Sequence, residues 1–106
     1  MLLEDNDLMK PGDHVRELMR ERGWLQTELA FVLGVSSGTV SDVVNSKIAI
    51  SAEMAKALGV AFGRPAIEFA NLQMRWSLDT APEPSPEIAA RASAQSKYPF
   101  LSLIHI

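Results

Sequence analysis

A chain of 106 residues, 47% hydrophobic and 22% charged, holds one compact domain and is too short for two of ordinary size. Ten Lys and Arg against thirteen Asp and Glu give a net charge of −3, which excludes a polycation that grips nucleic acid by bulk attraction. With no Cys, a disulfide framework and thiolate metal sites are excluded.

No apolar run approaches the roughly 20 residues of a membrane span. Met1-Leu2-Leu3-Glu4-Asp5 lacks the basic-then-apolar pattern of a signal peptide, so the expectation is a cytoplasmic protein without a membrane partner. His14 and His105 lie far apart, and no HExxH, glycine-rich phosphate loop or nucleophile elbow occurs. Neither an enzyme nor a metal or other cofactor is expected.

Charge is unevenly spread. The acid excess sits in residues 1–10 and 79–106, while residues 11–78 carry seven acids and seven bases. Residues 1–9 read as a flexible N-terminus. Pro11 and Gly12 lead into Val15, Leu18, Met19 and Arg22, a stripe at helical spacing, with Gly23 as the stop. Arg16 and Arg20 share a face with Glu17 and Glu21 alongside and read as solvated surface, as does His14. A second, short helix runs from Gln26 to Leu33 and ends at Gly34. Ser36 is placed to cap a third, built on Val40, Val43 and Val44. Ser51 caps a fourth through Met54, Ala55, Leu58, Ala61 and Phe62, stopped by Gly63, and Gly59 inside it implies close packing. Pro65 opens a fifth helix carrying Ile67, Phe69, Ala70, Leu72 and Trp76. These spacings predict an all-α domain of five short helices over residues 10–78.

Pro82, Pro84 and Pro86 at alternate positions then favour an extended linker. A short amphipathic helix from Pro86 and a turn at Tyr98-Pro99-Phe100 complete a short tail over 79–100. Leu101–Ile106 looks like the translation of a sequencing-library adapter and is set aside.

Two short helices joined at Gly34-Val35 must cross steeply and nearly touch. Ala30 and Gly34 allow this, one by its small side chain and the other at the turn, and Val40 and Val43 seal the third helix below. From Gln26 to Asn45 the sequence resembles the helix-turn-helix of the Cro and phage-repressor, or Xre, family. The flanks look like those of HigA-type antitoxins: Lys10-Pro11-Gly12, Asn45-Ser46-Lys47 with Ile50-Ser51, and Asn71-Leu72-Gln73 followed by Trp76-Ser77-Leu78. That resemblance implies a dimeric DNA-binding protein that neutralises a RelE-like, RNA-cleaving toxin and represses its own operon. A general Xre-type repressor, the amino-terminal regulatory part of a longer protein with a zinc-peptidase-like domain, and a protein-binding module without DNA contact stay open.

In this motif the third helix enters the major groove by its N-terminal turn. The base-reading candidates are therefore Ser37, Gly38, Thr39, Ser41 and Asp42, with Thr39 foremost. Gln26 and Thr27, beside free amides at a positive helix end, suit a phosphate oxygen, and Lys47 can pair with the same backbone. Phe69, Leu72 and Trp76 form either core or a dimer or toxin interface. The expected DNA partner is an inverted-repeat operator, read by two copies about 34 Å apart.

Departures from the pattern weaken DNA binding. Leu25 replaces the usual Ser or Thr cap, at a cost of about 1 kcal/mol. The third helix has no base before Lys47 and carries Asp42, which a phosphate repels. Ser46 stands where glycine is common, with Asn45 the candidate to take the left-handed conformation instead.

Overall fold

The computed structural model describes residues 9–95, which form six α-helices and no strand. They are α1 (Pro11–Arg22), α2 (Gln26–Leu33), α3 (Ser37–Val44), α4 (Ala52–Phe62), α5 (Ala66–Thr80) and α6 (Glu87–Gln95). The expectations for residues 1–8 and 96–106, the adapter-like end and His105 among them, lie outside the described residues. No single helix among the described residues is long and apolar enough to cross a membrane.

The helical stripes of the sequence converge on one core. Val15, Leu18 and Met19 of α1, Leu29 and Ala30 of α2, and Val40, Val43 and Val44 of α3 pack with Ile50, Ala55, Leu58, Phe62 and Phe69. Three of the helices, α1, α2 and α4, end at a glycine of positive φ: Gly23, Gly34 and Gly63. After α2, Gly34 sits at φ 74°, ψ 32°, and the Val35 amide donates to the Ala30 carbonyl (3.0 Å), satisfying a carbonyl that the helix leaves open. Ser36 and Ser51 cap α3 and α4, their hydroxyls accepting the amides of Thr39 (3.0 Å) and Met54 (3.1 Å). Gly59 explains itself by contact, because a Cβ there would lie 2.7 Å from the Arg64 carbonyl oxygen. Pro65 stands one place earlier than the periodicity suggests, at the cap rather than inside α5.

Phe69 overturns one reading. It is 0% exposed, 6.4 Å ring to ring from Phe62 and 5.5 Å from His14, so it has no surface to offer a dimer or toxin partner. Leu72 and Trp76 are half-buried, Trp76 with the Lys10 ammonium 5.8 Å from its ring. The apolar side chains that α5 leaves in solvent are instead Ile67, Met74 and Leu78. The difference is rotational: the face with Phe69 turns into the bundle, and the stripe at positions 67, 74 and 78 turns out.

His14 is likewise more than surface. Its Nε2 lies 2.5 Å from Glu68 Oε2, which also accepts from Arg64 Nε at 2.6 Å, tying α1 to α5. Partial burial opposes charge on Glu68, but hydrogen bonds from Arg64 and His14, reinforced by their charge, outweigh it and hold the carboxyl below its usual range. A depressed carboxyl stabilises the fold fully above the ordinary glutamate range, and that contribution is lost as pH falls through the lowered value. Thermal unfolding of Glu68→Gln should therefore show a lower Tm than the parent at neutral pH, with the gap narrowing as the pH falls below the ordinary glutamate range.

Candidate nucleic-acid interface

The chain bends by 111° between α2 and α3. Ala30, 6% exposed, lets the helices approach, and Gly34 permits the turn through its positive φ rather than through crowding, since nothing lies within 4 Å of a Cβ there. Val40 and Val43 are buried beneath α3. The four residues assigned to the motif thus occupy the turn and its seal.

The C-terminal end of α3 is gripped by α1, through contacts between segments far apart in the sequence. Gly12 lies so close to the end of α3 that a Cβ would come within 2.4 Å of the Val44 carbonyl oxygen and 2.5 Å of that of Val43. Its amide donates to Ser46 Oγ (3.1 Å). Arg16 is exposed, as expected, yet it donates from Nη2 to the Val44 carbonyl (2.9 Å) and to Asn45 Oδ1 (2.8 Å), placing a cation at the negative helix end. Asn45 has φ −94°, and it is Ser46, at φ 56°, that takes the left-handed conformation. The cost of that backbone in a serine is offset by the bond its hydroxyl makes to Gly12. Clamped at this end, α3 leaves its N-terminal turn uncovered: Ser37 and Gly38 are exposed, and Thr39, Ser41 and Asp42 are half-buried. The Thr39 hydroxyl is 3.0 Å from Ser36 Oγ and takes part in the cap.

At the start of α2, Gln26 is half-buried and Thr27 exposed. Leu25 supplies no side-chain cap, but Glu28 Oε1 accepts the Leu25 amide at 2.7 Å, turning that carboxylate back on its own chain. Lys47 is exposed beyond α3, its amide bonded to the Asp42 carbonyl (2.8 Å). The Asn-Leu-Gln element proves to be scaffolding: Gln73 Oε1 accepts the Ile50 amide (2.8 Å), pinning the loop that follows α3. Among the described residues no group of three His, Asp or Glu gathers as a metal site.

A helix-turn-helix family model matches residues 15–69. An Escherichia coli (strain K12) protein, the uncharacterized HTH-type transcriptional regulator YddM, is 33% identical over 72 residues, covering 68% of this chain and 77% of its own length. Among solved structures, Pseudomonas aeruginosa antitoxin HigA with the higBA promoter superposes at a TM-score of 0.67 with 34% identity, over 86% of this chain and 95% of that one. Pseudomonas aeruginosa PA4674 in complex with its operator DNA (18 bp) gives 0.65 with 40% identity, over 68% and 78%.

Proposed function

The chain belongs to the helix-turn-helix family in its Xre-type form, and from that membership we propose that it is a DNA-binding antitoxin that represses its own operon and neutralises a RelE-like, RNA-cleaving toxin. The observation that carries the reading is the uncovered N-terminal turn of α3, set at 111° to α2, with α1 clamping the far end of the helix. A helix presented in this way fits a major groove about 12 Å wide. Support for an antitoxin rather than a bare regulator comes from the similar structure of Pseudomonas aeruginosa antitoxin HigA with the higBA promoter.

In this reading Ser37, Gly38, Thr39, Ser41 and Asp42 meet base edges, while Gln26, Thr27 and Lys47 meet the phosphate backbone. A homodimer places two such faces on an inverted repeat about 34 Å apart. Ile67, Met74 and Leu78 on the outer face of α5, and the half-buried Leu72 and Trp76 on the Phe69 face, are the apolar surface left for protein contacts, and α6, exposed along its whole length, is available to a toxin. The domain proper spans residues 10–78, although α5 itself continues to Thr80.

Anisotropy titration against the promoter of its own operon, at two salt concentrations, tests the proposal. Saturable binding that prefers the inverted repeat over scrambled duplex supports it, and equal binding to both contradicts it. Lys47→Ala should weaken binding to every duplex about equally and lower the salt slope by about one. A second reading, a repressor without a toxin, is favoured by the Escherichia coli relative named only as a transcriptional regulator. Rescue of growth halted by the product of a neighbouring toxin-sized gene separates the two.

A further inference from the structure

Three side chains on α1 and α3 form a directed hydrogen-bond chain. Arg16 has only donors to give, so the atom of Asn45 that faces it at 2.8 Å must be the carbonyl oxygen, which fixes the amide's orientation. The amide nitrogen is then turned toward Ser41 and donates to its Oγ at 3.3 Å. With Oγ accepting, the Ser41 hydrogen has to point elsewhere. A helical serine or threonine commonly returns that hydrogen to the carbonyl four residues earlier, as Thr80 does to Trp76 at 2.8 Å. Ser41 makes no such bond, and no other partner for its hydroxyl occurs among the described residues.

We infer that the chain Arg16–Asn45–Ser41 biases the Ser41 hydroxyl toward donating to the duplex, so that α3 favours a base-edge acceptor over cytosine at this position. The inference rests on the DNA-binding reading and deepens it. In the major groove guanine and adenine present N7, guanine also O6, and thymine O4, all acceptors, whereas cytosine presents an amino donor. A free serine hydroxyl rotates to suit either kind of edge and discriminates poorly. One whose Oγ already accepts from Asn45 has used one of its two lone pairs and is biased toward donating its hydrogen outward. Arg16 and Asn45 are positioning residues here: they touch no base, and their effect passes through Ser41.

The test is a competition titration of the full chain against a promoter duplex and its single base-pair variants. It is run for the parent, Ser41→Ala and Asn45→Asp, with a thermal unfolding curve for each. The parent should disfavour cytosine at one position per half-site by about tenfold, the size of one good hydrogen bond. Ser41→Ala should erase that preference. Asn45→Asp keeps an acceptor for Arg16 but turns the second contact atom into another acceptor, so Ser41 donates inward and shows the groove a lone pair. Cytosine at that position should then gain relative to the other bases, with the Tm retained. A structural role alone would move the Tm or the affinity for all duplexes and leave the base profile alone. Loss of the preference in Ser41→Ala with no change in Asn45→Asp overturns the preset polarity. Unchanged profiles in both variants, with operator binding intact, overturn the inference while sparing the regulator reading. Failure of the parent to prefer any duplex overturns both.

Discussion

Truncating Phe69 to alanine should cost about 3–5 kcal/mol and leave the domain largely unfolded at ordinary temperature, since a domain of this size is stable by only about 5–10 kcal/mol in all. Phe69 is the largest fully buried side chain, with rings of Phe62 and His14 against it. Its removal opens a cavity where α5 meets α1 and α4, and the aromatic walls can relax only partly. Chemical denaturation followed by far-ultraviolet circular dichroism measures the loss. Met74→Ala provides the contrast: Met74 lies on the same helix but is exposed, and its truncation should change stability by less than about 0.5 kcal/mol. Equal, small effects at both positions would mean that Phe69 faces a partner, the alternative to core that its apolar stripe left open.

The second large effect is expected at a residue that touches no ligand in any reading. Gly12→Ala places a methyl group 2.4 Å from the Val44 carbonyl oxygen and 2.6 Å from its carbonyl carbon. Those are backbone atoms of α3 and cannot swing aside as the tip of a side chain would. The start of α1 must therefore lift, stretching the bond from the Gly12 amide to Ser46 Oγ and the two that Arg16 makes to the end of α3. Overpacking of this kind costs about 1–3 kcal/mol, and the backbone contact puts Gly12 at the upper end. Because the displaced element is α3, operator affinity should fall further than the lost stability alone explains. A titration at a temperature where the variant is still folded distinguishes the two. Operator affinity equal to the parent's in folded Gly12→Ala would show that α1 does not set the position of α3.

Those two residues also mark how far the sequence could be read. Helices α1 to α4 were legible from local punctuation: Ser36 and Ser51 at starts, and Gly23, Gly34 and Gly63 at ends, take the conformations their chemistry favours. The tight turn at Gly34 was legible for the same local reason. What depends on two distant segments was not. Gly12 and Ser46 are 34 positions apart, and Arg16 and Asn45 29 positions apart, so nothing in either stretch announces the other. Arg16 beside Glu17 has the pattern of solvated surface, and only the fold carries its guanidinium to the end of α3. Phe69 and Ile67 are two places apart on one helix, and apolar content alone cannot say which of them turns inward. The base-facing positions were nameable from the motif's geometry, yet the direction in which Ser41 holds its proton follows from a contact network that spacing does not encode.

The central claim is that the N-terminal turn of α3 and the first turn of α2 form the surface that meets DNA. Nitrogen-15 amide shifts of the full chain, titrated with its own promoter duplex, address it residue by residue. The account predicts the largest shifts at Gln26, Thr27 and Ser37 to Asp42, with Lys47 following and the amides around Ile67, Met74 and Leu78 nearly still. Shifts gathered on that α5 face, with α3 unmoved while the duplex is bound, would contradict it.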